Sequence, residues 1–255
     1  MTGRVEVIGG ATLYLGDCLE LMGGIGEADH VISDPSYEDE LHQAFRRSDD
    51  LRTDGIPFGH DLKFSGVNLR RSEIARAVCG ASRGWVVLFT LAEGVRAWRD
   101  DLQAVGAKYD TCLVWVKPDS APRFNGQGPS RGFECAVTGW CGRGHKRWNG
   151  GGRRGIFIYS CHAGRHGGHP TEKPLPLMSD LVTLYSNPGE TVLDPFMGSG
   201  TTGVACLKSG RRFIGIEQNP EYFDLACSRI EAAYRQPDFL VRASAGVAAT
   251  QGVLW

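Results

Sequence analysis

Short apolar runs alternate along this chain with stretches of helical period, and few folds accommodate that alternation. "ATLYLGD" (11–17), "ADHVISD" (28–34), "GWVVLFT" (84–90), "YDTCLVWVK" (109–117), "FECAVTGW" (133–140), "TVLDP" (191–195) and "RRFIGIE" (211–217) read as strands. Between them, Leu91, Val95, Trp98, Leu102 and Val105 recur at steps of four and three, the spacing of one helix face. Met178, Leu181, Val182 and Tyr185 do the same, as do Phe223, Ala226, Ile230 and Ala233. A half-exposed strand alternates apolar with polar side chains. These strands are nearly continuous apolar runs, so both of their faces must be covered. The pattern predicts an α/β fold, a mostly parallel sheet with helices on each side.

At 255 residues the chain suits one large domain, or one domain with an insert. No apolar run reaches the roughly 18 residues of a membrane-spanning helix. The opening "MTGRVEVIGG" lacks the basic and apolar regions of a signal peptide. Eight cysteines are scattered without a CxxC pair, a usage that fits a reducing compartment. A cytoplasmic protein with no membrane partner is expected.

Two stretches break the alternation. Residues 38–68 are polar with a few aromatics and no period, which suits a flexible lid. Residues 118–168 are rich in glycine and arginine. There Arg123, Arg131, Arg143, Lys146, Arg147, Arg153, Arg154 and Arg165 stand against only Asp119 and Glu134. The net charge of the whole chain is −1, so this basic segment is a local concentration. The expected division is 1–117, an insert at 118–168, a second half at 169–235, and an extension at 236–255 with no assigned role.

"TVLDPFMGSGTTGVACL" holds Gly198, Gly200 and Gly203 between a strand and a helix, and Glu217 ends the next strand about 20 residues on. A glycine turn at a strand's carboxyl end lets a ligand approach the backbone, and an acid at the neighbouring strand tip can accept from both ribose hydroxyls. That describes a site for an adenosine-containing cofactor. No G-K-[ST] follows, so a phosphate-gripping loop is excluded. NAD and S-adenosylmethionine both satisfy glycines plus acid. Asp194, just before the turn, would repel a pyrophosphate and attract an ammonium or sulfonium group. Phe196 adds a ring for an adenine or methionine moiety, and both residues favour S-adenosylmethionine.

With "DPFMGSGTTG" stand "DPSY" (34–37), at the tip of the strand ending "HVIS", "HPTEKP" (169–174), and "LYLGDCLE" (13–20). Together these resemble the motifs of the beta-class, circularly permuted DNA amino-methyltransferases, in that family's order and over roughly residues 10–235. The resemblance implies a doubly wound, mostly parallel sheet of seven strands, a Rossmann-like methyltransferase fold whose last strand runs antiparallel. It also implies DNA as substrate, with 118–168 as target-recognition region. Asp34, Pro35, Ser36 and Tyr37 would be catalytic: Asp34 and the Pro35 carbonyl accept the two hydrogens of an exocyclic amino group, and Tyr37 stacks on a base rotated out of the duplex. Ser36 stands where the family usually has a second proline, so a catalytically weak, cofactor-binding subunit is the rival to an active enzyme.

By the same match Asp17, Cys18, Asp34, Asp194, Phe196, Gly198, Ser199, Gly200, Thr201, Thr202 and Glu217 line the cofactor pocket, and Thr171 and Lys173 approach its methionine end. Asp17 has a plain alternative as a helix cap. The eight basic residues of the insert are the expected DNA contacts. The aspartate of "DPSY" favours adenine N6 over cytosine N4, for which the family usually has serine. Alternatives kept open are an NAD-dependent oxidoreductase, a methyltransferase acting on RNA or a protein glutamine, and a metal site among Cys135, Cys141, Cys161, His162, His166 and His169. No pair of these has zinc-site spacing, and no metal is expected. A homodimer, and a cognate restriction endonuclease not in direct contact, complete the partners considered beside DNA.

Overall fold

The computed structural model describes residues 3–35, 70–122, 126–163 and 172–235. Ser36, Tyr37, the 38–68 stretch, Arg123, Arg165, His166, His169, Thr171 and 236–255 lie outside the described residues.

Among the described residues nine strands form one sheet, in the order β1-β2-β9-β8-β3-β4-β6-β5-β7. They are β1 (Val5–Ile8), β2 (Ala11–Leu15), β3 (His30–Ser33), β4 (Trp85–Thr90), β5 (Lys108–Val116), β6 (Phe133–Trp140), β7 (Ile156–Ile158), β8 (Thr191–Asp194) and β9 (Arg212–Glu217). The expected seven strands become nine because a short strand is added at each edge. β1 pairs with β2 through a hairpin turned at Gly9 and Gly10, and Gly9 has a φ of 56°. That conformation costs a glycine little and suits a two-residue hairpin. β7 is only "IFI", too short to show a period inside a glycine-rich stretch. β6, inside 118–168, runs antiparallel between β4 and β5, and β1 opposes β2; the remaining neighbours are parallel.

Helices cover both faces, as continuous apolar strands demand. On one side α1 (Cys18–Leu21), α2 (Arg71–Ala81) and α3 (Val95–Ala104) pack on Val31, Val86, Leu88, Val137, Leu193 and Ile216. On the other, α4 (Leu175–Tyr185), α5 (Thr201–Lys208) and α6 (Pro220–Arg235) cover Ile32, Val87, Phe89, Trp115 and Phe213. The predicted helical faces are the buried ones: Trp98 and Leu102 on α3, Met178 and Leu181 on α4, Phe223 and Ile230 on α6. Each such side chain contributes about 1.5–3 kcal/mol by leaving water. No helix among the described residues is long and apolar enough to cross a membrane.

The order of the strands fixes where a ligand can sit. From β8 the chain passes through α5 to β9 on one side; from β3 it passes, by way of α2, to β4 on the other. β3 and β8 are adjacent and parallel, with Val31 opposite Leu193. Connections that leave in opposite directions open a crevice at the carboxyl ends of such a pair. "DPSY" begins at one tip and the glycine turn at the other.

Candidate active site at the β3–β8 crevice

Adjacent strands lie about 4.8 Å apart, so Asp34 and Asp194 are drawn together by the ladder itself. Ser33, the last residue of β3, donates to Asp194 Oδ1 at 2.5 Å. Asp194 also accepts from the Thr202 hydroxyl at 2.6 Å and from the Phe196 amide at 3.1 Å. Its carboxylate thus folds the turn back onto the strand it leaves. Burial pushes the Asp194 carboxyl up to about 6, against the pull of those donors.

The turn is held from three further directions. Gly198 and Gly200 take φ values of 51° and 80°, a region that favours glycine. The Gly198 amide donates to Glu217 Oε2 at 3.0 Å, and the Asn219 amide donates to Oε1 at 2.8 Å. Arg229, on α6, donates through Nη1 to the Ser199 carbonyl at 2.8 Å and to its hydroxyl at 2.7 Å. The Thr201 hydroxyl, at the start of α5, is buried with no hydrogen-bond partner among the described residues. A buried hydroxyl left unsatisfied is costly, and this one sits at the end of the glycine turn.

Gly203 has a packing role. A Cβ there would lie 2.6 Å from Ile230 Cδ1 and 2.7 Å from Phe213 Cε1. Gly203→Val is therefore expected to cost about 1–3 kcal/mol by overpacking α5 against α6 and β9, read as a lower urea midpoint.

Asp34 itself is gripped on one side. The Lys173 ammonium bonds to Asp34 Oδ2, while Asp34 Oδ1 is buried and, among the described residues, has no hydrogen-bond partner. Burial raises the Asp34 carboxyl above its ordinary range; Lys173 pulls it down and Glu134 pushes it up. Lys173 also lies 3.2 Å from Glu134 Oε2, and Lys117 bonds to Glu134 Oε1. Lys173 and Glu134 both have side chains less than a tenth exposed. Next to Lys173, Glu172 is buried against Arg229, with Oε1 2.7 Å from Nη2.

The remaining motif residues fall in varied places. Asp17 caps α1, accepting from the Leu19 amide at 2.9 Å, and takes a two-pronged contact from Arg70 at 2.7 and 2.9 Å. Cys18 is buried, and burial pushes its thiol up to about 12. Phe196 is partly buried against the α1–α2–α3 side of the sheet. The basic residues of 118–168 are dispersed. Arg131 lies at the crevice end, paired with Glu93 at 2.9 Å. Lys146 and Arg147 follow β6 at the opposite end of the sheet and pair with Asp110 at 2.5 Å and Glu190 at 2.9 Å. Arg153 reaches Asp180 on α4 at 2.6 Å, and Arg143 and Arg154 are exposed. Among the described residues, no three of His, Cys, Asp and Glu gather as metal ligands.

A family model described as DNA methylase matches residues 138–228, which include the glycine turn and the whole of "HPTEKP" before it. Over this stretch the chain is similar to the N6/N4 DNA methylases. It is 51% identical over 65 residues to the DNA adenine methyltransferase YhdJ of Escherichia coli, over 26% of this chain and 22% of that protein. With the type II methyltransferase M.Cfr9I of Citrobacter freundii it shares 31% identity over 140 residues, 51% of this chain and 47% of the relative. The matched stretches thus span less than half the length of these two relatives. Among solved structures, the M1.HpyAVI complex with SAM superposes with a TM-score of 0.67 at 26% identity, covering 86% of this chain and 98% of that one.

Asp34, Asp194, Lys173, Glu217 and the glycines converge at the crevice, and all were marked by motif. Glu134, Lys117 and Arg229 were not, and Glu172, although inside "HPTEKP", was given no role. Glu134 had one available signal, as one of only two acids in a strongly basic segment. Arg229 had none, since an arginine on an amphipathic helix ordinarily faces solvent.

Proposed function

We propose that this chain is a DNA amino-methyltransferase that uses S-adenosylmethionine and acts on the exocyclic amino group of a base rotated out of the duplex, adenine N6 in the first place. The observation that carries the reading is Asp34, with Oδ2 held by Lys173 and Oδ1 buried and unpartnered beside the glycine turn. An acceptor fixed on one side and unsatisfied on the other suits an amino hydrogen.

The residues present fit the cofactor. Glu217 ends β9 beside the turn, and each of its oxygens accepts one amide, which leaves capacity for ribose hydroxyls. Thr201 offers an unsatisfied hydroxyl, and Phe196 a partly buried ring. The cofactor, when bound, supplies an electrophilic methyl group on a sulfonium. Asp34 Oδ1 accepts one hydrogen of the target amino group, and the Pro35 carbonyl, aimed by its ring, accepts the other. This localises the nitrogen lone pair and stabilises the positive charge that grows on it. A cofactor held there would give up its methyl group and keep the C–S electron pair, and Asp34, a carboxyl raised by burial, would take the proton the nitrogen releases. Holding the two reactants in line is worth about 7–11 kcal/mol. Aspartate at position 34 supports adenine, as does the similarity to YhdJ.

Incubation with tritiated S-adenosylmethionine and mixed-sequence DNA is expected to label the DNA, and nucleoside mass spectrometry to find N6-methyladenine. N4-methylcytosine would transfer the same mechanism to the other base. Cofactor binding with no label in DNA would overturn the reading in favour of an inert subunit.

A further inference from the structure

Four side chains from four segments form a row of alternating charge beneath the crevice: Lys117, Glu134, Lys173 and Asp34. Lys117 bonds to Glu134 Oε1, Glu134 Oε2 lies 3.2 Å from Lys173, and Lys173 bonds to Asp34 Oδ2. The Lys173 ammonium sits 5.0 Å over the Phe89 ring and that of Lys117 4.5 Å over Trp115. The antiparallel course of β6 makes this possible. Every other interior strand ends at the crevice, whereas β6 begins there and so delivers Glu134 to it.

We propose that Glu134 is a positioning residue for methyl transfer: anchored by Lys117, it shares the Lys173 ammonium with Asp34, so that Lys173 holds only Oδ2 and Oδ1 stays turned to the substrate nitrogen. The proposal rests on the reading of Asp34 as the amino-group acceptor. Chemically, an ammonium with one buried carboxylate for company would draw closer to it and make it a poorer acceptor. A second carboxylate competes for the ammonium hydrogens. Burial alone would raise the Glu134 carboxyl, but Lys173 and Lys117 outweigh it and hold it low, so Glu134 stays charged for this task. Among the described residues, the titratable groups that face the row include Asp194, beside Asp34, and Cys161 and Cys135, beside Glu134.

The test is the pH profile of kcat for wild type, Glu134→Gln, Lys173→Met and Lys117→Met, with the cofactor KM measured alongside. Without the Glu134 charge Asp34 loses a neighbour that raises it, so the acidic limb of E134Q moves to lower pH and its plateau falls about tenfold. Without Lys173 or Lys117, which both lower Asp34, the limb moves to higher pH. Glu134→Asp keeps the charge and returns the limb to the wild-type position. The cofactor KM stays within a few-fold in E134Q. Lys117→Met perturbs the row from its more exposed end and serves if E134Q does not fold. Limbs that stay in place in E134Q and K117M, whatever the loss of rate, would overturn the proposal. A wild-type protein that labels no DNA would instead overturn the function on which it rests.

Discussion

Asp34→Asn is expected to lower the single-turnover rate of methyl transfer by at least about 10²–10³-fold, the loss typical of removing one aimed group that meets developing charge. Cofactor affinity should change by no more than a few-fold, because the groups that shape the turn are Asp194, Glu217 and Arg229. The fold should persist as well, since Lys173 keeps a buried carboxylate neighbour in Glu134. An asparagine oxygen still accepts a hydrogen bond, but it carries no charge to offset the cation growing on the substrate nitrogen. Rapid-quench measurement of label in DNA, beside cofactor titration of the same preparations, separates the two effects. A D34N rate within tenfold of wild type would remove Asp34 from the chemistry.

The largest stability effect is expected at a residue outside every motif. Arg229 on α6 meets Glu172 at 2.7 Å, with side chains 8% and 0% exposed, and its other nitrogen holds Ser199 at the glycine turn. Arg229→Met removes the guanidinium and leaves the Glu172 charge buried without it. Breaking a buried pair from one side costs about 3–5 kcal/mol, visible as a lower urea midpoint at unchanged slope. Arg229→Met combined with Glu172→Met removes both charges, so much of that loss should be recovered. The two single losses should then sum to clearly more than the double. Simple additivity would mean that the pair contributes nothing as a pair.

The two halves of the molecule were legible to different degrees, for physical reasons. β3, β4, β6 and β8, buried on both faces, leave continuous apolar runs, and β2, β5 and β9, though partly open, keep enough apolar side chains to be readable. β1 and β7 lie at the edges with Val5, Val7, Ile156 and Ile158 exposed, and strands this short and open leave little pattern. α2 was obscured because its buried face combines Ile74 and Val78 with the alanines Ala75 and Ala81. The convergence of Asp34 and the glycine turn was legible, because two motifs at strand ends become neighbours once the strands pair.

Side-chain partners were a different matter. Asp17 realises the plain reading as a helix cap, with Arg70 added from a distant part of the chain. Lys173 takes Asp34 as a side-chain partner, a contact its motif does not specify. Lys146 and Arg147 are close in sequence to Arg131, yet β6 separates them by its whole length, a consequence of strand direction that composition does not carry.

The most direct measurement is a crystal structure of the protein with S-adenosylmethionine bound. The sulfonium methyl is expected in the β3–β8 crevice, within ~6 Å of Asp34 Oδ1, the reach of one hydrogen bond plus one near-attack distance. A cofactor seated elsewhere, or one whose methyl group points away from Asp34, would contradict this placement.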